Sequence, residues 1–268
     1  CYIPWIILFV FKIYNKSNYF NFAILSLLIG FQLQRGHIQI AYYTWMMIGL
    51  FIVLNNYKLI KIKTFQMSAL IKHNVYVLTS LVSGLLLSFN IYLPVLNYLG
   101  DSTRSSTSVS SGIDFATQWS FSFKESLSLF FPYLLGFGGK LYSGNMPFTD
   151  YPNYLGIVIF ILAIIGFLKS NINKDYKIFF LLVACFSFFI SLGHNFILFY
   201  KIFYYYFPYF DKFRVPVYLL ILFYFSILIF SAFGLDHLAN LINKKLKLNK
   251  YLKYISLIFF PVIFLFIF

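Results

Sequence analysis

An all-α, polytopic transmembrane bundle with short interfacial helices in its outer loops is the fold this sequence predicts, and three observations carry the prediction. Of 268 residues, 61% are apolar and only 10% are charged, against roughly a quarter charged in ordinary soluble domains. Apolar runs recur near residues 2–14, 19–33, 38–54, 75–99, 154–168, 178–192, 215–235 and 254–268, several of them reaching the ~20 residues that a helix needs to cross the hydrocarbon core. The basic residues, finally, alternate in density from loop to loop along the chain, as they do when loops alternate between two sides of a membrane.

Each run is read as a helix because lipid offers no partner to backbone N–H and C=O groups. A porin-like barrel would show shorter, alternating segments instead. The runs at 2–14 and 19–33 are short, and the first and last stop with the chain, so about eight spans are expected within a single integral membrane domain over 1–268. That domain reads as a fragment open at both ends, because it starts without Met and stops inside an apolar run. The one long interruption, 100–153, is too apolar for a soluble domain and is expected to form interfacial or re-entrant segments.

Charge gives the orientation. One set of loops holds Lys12, Lys16, Lys58, Lys61, Lys63, Lys72, Lys169, Lys174, Lys177, Lys244, Lys245, Lys247, Lys250 and Lys253, which is 14 of the 21 bases. The other set holds Arg35, Arg104, Lys124, Lys140, Lys201, Lys212 and Arg214 together with Asp101, Asp114, Glu125, Asp150 and Asp211, five of the seven acids. The first set faces the cytoplasm by the positive-inside rule. The localisation expected is the inner membrane of a bacterium, with membrane lipid as the first partner. The net charge of +14 then needs no nucleic acid, since the bases lie in short loops beside apolar spans rather than on one soluble face. Two cysteines, Cys1 and Cys185, build neither a disulfide framework nor a metal site; no cofactor is called for, with a divalent cation left open.

Three outer segments carry chemistry. In Gln34-Arg35-Gly36-His37-Ile38-Gln39, His37 and Gln39 stand at a helix N-terminus, where free N–H groups and the dipole favour an anion or a sugar hydroxyl; an interfacial loop that only meets water is the alternative. The long segment contains Asp101-Ser102-Thr103-Arg104, Ser111-Gly112-Ile113-Asp114, Gln118-Trp119-Ser120 and Lys124-Glu125. The third is Phe207-Pro208-Tyr209-Phe210-Asp211-Lys212-Phe213-Arg214, where Asp211 and Arg214, three apart, are placed to pair on one helical face. Arg214 at a span end suits a lipid phosphate through its planar fork, or merely snorkels.

These segments, taken in order with Gly36-His37-Ile38-Gln39-Ile40-Ala41-Tyr42-Tyr43, Pro132-Tyr133-Leu134-Leu135-Gly136 and Leu192-Gly193-His194-Asn195-Phe196, resemble the YfhO-type bacterial membrane proteins from about Gly36 to Leu238. The resemblance implies a GT-C-like glycosyltransferase that moves a sugar from a polyprenyl-phosphate donor to a cell-surface glycan or polymer acceptor on the extracytoplasmic face. It also implies that the main catalytic aspartate lies in a loop upstream of Cys1, which makes Asp114, Glu125 and Asp211 second choices for the base. A lipid-linked phosphosugar requires cationic and polar groups at headgroup depth beside an apolar surface. His37, Gln39, Arg104, Trp119, Lys212 and Arg214 are therefore the expected substrate-binding residues. A transporter or flippase for a lipid-linked or small substrate is the alternative, although the spans contain almost no ionisable residue of the kind transporters place at the midplane. A noncatalytic envelope-assembly scaffold is another.

The division of bases predicts that a Ser105→Cys variant is labelled by a membrane-impermeant thiol reagent in intact cells. Labelling only after the membrane is opened would reverse the orientation.

Overall fold

The computed structural model of the chain describes residues 2–61, 67–98 and 112–246. Arg104, Asp101 and the apolar run at 254–268 lie outside the described residues. Within them the elements are helices α1 (Ile3–Asn15), α2 (Tyr19–Gln34), α3 (Ile38–Lys61), α4 (Met67–Leu87), α5 (Phe89–Tyr98), α6 (Ile113–Ala116), α7 (Ile157–Lys169), α8 (Lys174–Ser191), α9 (Ile197–Tyr206) and α10 (Leu220–Leu246), with short 3₁₀ turns between them. The seven apolar runs within the described residues all fall on helices.

Length separates these helices into two groups. Three segments, Ile38–Lys61, Leu70–Leu87 and Pro216–Ile242, are long and apolar enough to cross a membrane, and a fourth is reached if α8 and the helical stretch Gly193–Tyr206, bent by 110°, count together as one span. Helices α1, α2 and α7 are apolar but have only 13, 16 and 13 residues; at 1.5 Å per residue they reach about 20–24 Å, short of the ~30 Å core. Among the described residues three to four helices are thus long enough to cross outright, because an apolar run specifies burial from water and not length.

The run at 75–99 is not one helix. It breaks at Ser88, whose hydroxyl donates back to the Gly84 and Leu85 carbonyls at 3.2 and 2.9 Å, a bond that competes with the helical ladder. Pro94 lies inside the following helix α5, where it has no N–H to continue the ladder.

Helix pairs meet through small residues. A Cβ added to Gly166 of α7 would come within 1.9 Å of the Phe230 carbonyl oxygen, and one on Gly234 of α10 within 2.0 Å of the Leu162 carbonyl oxygen, so the two backbones touch directly. Helices α2 and α4 meet the same way, since a Cβ on Gly84 would lie 2.5 Å from Ile29. Apolar burial gives little drive between helices already surrounded by lipid tails, and close backbone contact replaces it.

Aromatic rings fill the centre. Phe11 of α1, Phe51 of α3 and Phe179 of α8 stand in mutual contact with ring centroids 4.8, 5.3 and 5.9 Å apart. Two loops of the more basic set meet at one end, where Lys58 pairs with Asp175 and Asn74 donates to Asn56 at 3.2 Å. The ion pair is half-exposed and contributes at most about 1 kcal/mol.

At the other end residues 112–156 form an irregular cap. Its buried Phe121 and Leu129 pack on Leu192 and Leu220, the Phe121 N–H donates to the Ser191 carbonyl at 2.9 Å, and the Leu155 and Gly156 N–H groups share the Leu129 carbonyl at 3.0 and 2.9 Å. The apolar stretch 121–135 makes only a five-residue 3₁₀ turn, Glu125–Leu129, rather than an amphipathic helix. Its carbonyls are used by distant residues, and Pro132 follows before a longer ladder can form.

Replacing Gly234 by Leu inserts a side chain where the α7 backbone stands, and is expected to lower stability in detergent by about 1–3 kcal/mol or more. Leu235→Ala, on the exposed face, should stay within about 0.5 kcal/mol in the same unfolding titration.

Candidate functional site

The end of the bundle opposite the Lys58–Asp175 pair gathers residues from four separate stretches of chain. The organising feature is the segment from Tyr209 to Leu219, anchored by Phe210. That ring is fully buried among Tyr43, Tyr200 and Phe203, at centroid distances of 6.4, 5.5 and 5.9 Å. With Phe210 pinned, the chain leaves it as a 3₁₀ turn, Phe210–Lys212, extends through Phe213, and re-enters the bundle at Pro216.

Two residues of this segment have left-handed backbone, Tyr209 at φ 61° and Val215 at φ 67°. For β-branched Val215 such a conformation costs about 1–3 kcal/mol, so its surroundings must hold it. Gln39 is the holder from α3. It is 9% exposed, and its amide nitrogen donates to the Arg214 carbonyl at 2.5 Å and to Tyr43 Oη at 2.6 Å, with the Val215 carbonyl at 3.4 Å. On the other side, the Val217 N–H donates to the Trp119 carbonyl at 3.2 Å and the Tyr218 N–H to the Val215 carbonyl at 3.1 Å.

The turn presents the Arg214 guanidinium over two aromatic rings, 5.3 Å from the Phe115 centroid and 5.5 Å from that of Trp119. Trp119 is itself braced edge-on by Phe148 at 5.6 Å. Cation–π contacts of this kind contribute about 0.5–2 kcal/mol. Among the described residues no carboxylate lies within ion-pair distance of Arg214; the pairs formed there are Lys58–Asp175 and Lys212–Asp211.

Asp211 therefore does not pair with Arg214, as their spacing suggests, but with its neighbour Lys212, at 2.6 Å. The reason is conformational: Phe213 is extended, so residues 211 and 214 do not share a helical face. The Lys212 ammonium is raised above its ordinary range by its hydrogen bond to Asp211, and the pair is exposed at the rim. Tyr42 closes the same rim, donating to the Pro208 carbonyl at 2.7 Å and packing its ring at a tilt against Phe213, with centroids 4.9 Å apart. His37 is exposed at the start of α3, its ring edge-on to Tyr218 at 5.2 Å. Asp114 is exposed in the first turn of α6, which packs against the 210–212 turn.

Glu125 is differently placed. It is 2% exposed and lies in the cap, where Oε2 accepts the Ser122 N–H at 2.7 Å while the Ser122 hydroxyl accepts the Glu125 N–H at 3.1 Å. This reciprocal arrangement is a capping box. The other oxygen, Oε1, accepts from the Tyr142 hydroxyl and from the Asn145 N–H. Burial, and then the bond to Glu125, push the Tyr142 phenol well above its usual range, so it remains a donor. With three donors on its two oxygens and its side chain buried, Glu125 ties the cap together.

The structure thus brings Gln39, Trp119 and Arg214 together with His37 on the flank and Asp211–Lys212 at the rim. Phe115, Phe148 and Tyr218, which wall this cluster, carry no mark in a sequence that is 24% aromatic. The capping box did have a signal in the Ser122-Phe123-Lys124-Glu125 spacing. Comparisons with family models, with curated proteins and with solved structures find no match to this chain.

Tyr142→Phe removes a donor from a buried carboxylate and is expected to lower stability by about 1.5–3 kcal/mol. Thermal unfolding in detergent checks it, and an unchanged midpoint would return Glu125 to the list of free carboxylates.

Proposed function

We propose that this chain is part of a polytopic GT-C-like membrane glycosyltransferase of a bacterial inner membrane, transferring a sugar from a polyprenyl-phosphate donor to a cell-envelope acceptor on the extracytoplasmic face. The observation that carries the reading is Arg214: a guanidinium seated on Phe115 and Trp119, without a carboxylate partner among the described residues, at the bundle end opposite the Lys58–Asp175 pair. A planar fork held in this way suits two phosphate oxygens. Phosphate is the group that a lipid-linked sugar presents at that depth, with its apolar tail in the surrounding lipid.

In this reading α1, α2 and α7 also cross the membrane, with local thinning or snorkelling of flanking residues compensating for their length, and the run at 254–268 adds the eighth span. His37 and Lys212 flank the phosphate; Arg104, the further cation that the sequence offers for it, lies outside the described residues. Transfer forms a bond from the acceptor hydroxyl oxygen to the sugar's anomeric carbon and breaks the bond between that carbon and the phosphate oxygen. The electron pair stays on the phosphate, whose charge Arg214 offsets, while a carboxylate takes the proton of the acceptor hydroxyl. Of the carboxylates near the cluster, Asp114 and Asp211 fit that step better than the buried Glu125, and the family resemblance puts the principal acid upstream. That resemblance, from Gly36 to Leu238, is the second support.

Arg214→Ala in well-folded protein is expected to weaken donor binding by about 1.5–3 kcal/mol, the range for hydrogen bonds to charged groups, which is roughly ten- to a hundredfold in Kd. Donor titration and transfer assays check it. Unchanged affinity and transfer would reduce Arg214 to an anchor in the headgroup layer.

A further inference from the structure

We propose that Gln39 is the positioning residue for Arg214: its amide clamps the strained turn at Val215 and so keeps the guanidinium on the Phe115 and Trp119 faces, ready for a phosphate group. The inference rests on the reading that Arg214 receives an anion. It differs from the expectation that Gln39 itself touches the substrate.

The geometry separates the two possibilities. A side-chain amide has two N–H donors, and those of Gln39 go to the Arg214 carbonyl and Tyr43 Oη. The residue is buried, so its donors are directed into the protein, and the contact joins positions 175 residues apart in the chain. The turn it holds is unfavourable by itself, because Val215 is β-branched at φ 67° and precedes Pro216. A residue before proline is ordinarily driven to the extended region. The carbonyl of Arg214 is fixed by Gln39, and the N–H of Val217 by the Trp119 carbonyl. Held on both sides, the turn has little freedom, and the Arg214 side chain leaves it toward the two rings. Without the amide, the carbonyl loses its partner, Val215 relaxes to negative φ, and the guanidinium leaves the rings.

Trp119 provides the readout. The chain has three tryptophans, so the Trp5→Phe/Trp45→Phe protein in lipid nanodiscs reports on Trp119 alone. Farnesyl phosphate and inorganic phosphate are the probes. A saturable change in Trp119 emission is expected with farnesyl phosphate, more weakly with inorganic phosphate, and not after Arg214→Ala.

Gln39→Ala is expected to raise the apparent Kd for farnesyl phosphate by about tenfold, equivalent to roughly one hydrogen bond of ordering. Gln39→Met, which keeps the bulk without the donor, should do the same and serves where the alanine variant does not fold. The decisive variant is Gln39→Ala/Val215→Gly, expected to recover most of the affinity because glycine adopts positive φ without strain. A purely structural loss at Gln39 would not be rescued at Val215.

Parent-like affinity in Gln39→Ala and Gln39→Met, with binding abolished by Arg214→Ala, would overturn the positioning assignment and leave the anion reading intact. No response to either probe in the parent would overturn both. Equal affinity for the two probes would leave the clamp standing and remove the lipid-linked donor.

Discussion

Backbone groups that lipid cannot partner must be satisfied inside the protein, and three departures from regular helix among the described residues are organised around that constraint. At Ser88 the break is covered by a hydroxyl that returns to the helix and by Gln34, whose amide donates to the Leu87 carbonyl at 3.1 Å. Over the cap, Leu129 gives its carbonyl to two N–H groups and Ser191 gives its own to Phe121. Around Val215, where the chain is least regular, the partners are the Gln39 amide and the Trp119 carbonyl.

The same constraint explains why the candidate site lies where it does. Irregular backbone can present side chains in directions that a helix cannot, but close to a membrane it persists only where other elements cover it. The Phe210 plug, the Glu125 capping box and the Gln39 amide together cover the end of the bundle opposite the Lys58–Asp175 pair. They leave a guanidinium on aromatic faces and an exposed Asp211–Lys212 pair. The opposite end is built differently, from helix ends, an exposed ion pair and polar asparagines.

Between the two ends the helices are held by contact rather than by chemistry. Gly166 against Gly234 and Gly84 against Ile29 allow backbones to approach to a distance that any side chain would prevent. Dispersion between closely packed chains then does the work that the hydrophobic effect does in water. The aromatic centre at Phe11, Phe51 and Phe179 joins α1, α3 and α8 into the same body, so the candidate site rests on a bundle fixed at several heights.

The sequence by itself determined that the chain is helical and apolar, because composition and uninterrupted apolar runs leave helices as the only economical way to satisfy the backbone. It also marked Arg214, Trp119, Gln39 and His37, whose polarity or charge stands out beside apolar runs. Only the tertiary structure decided how far the helices extend, since a run such as 75–99 reads as continuous while a single hydroxyl at Ser88 divides it. Only the fold separated Glu125 from Asp211: both are carboxylates in segments between the long helices, yet one is enclosed by Ser122, Tyr142 and Asn145 and the other is only partly buried beside Lys212. Pairing of Asp211 with Arg214 was legible as a spacing, but spacing has meaning only on a helix, and the chain there is extended. The contact between Gln39 and the Arg214 carbonyl had no local signature at all, because partners so far apart in sequence are brought together by packing and not by periodicity.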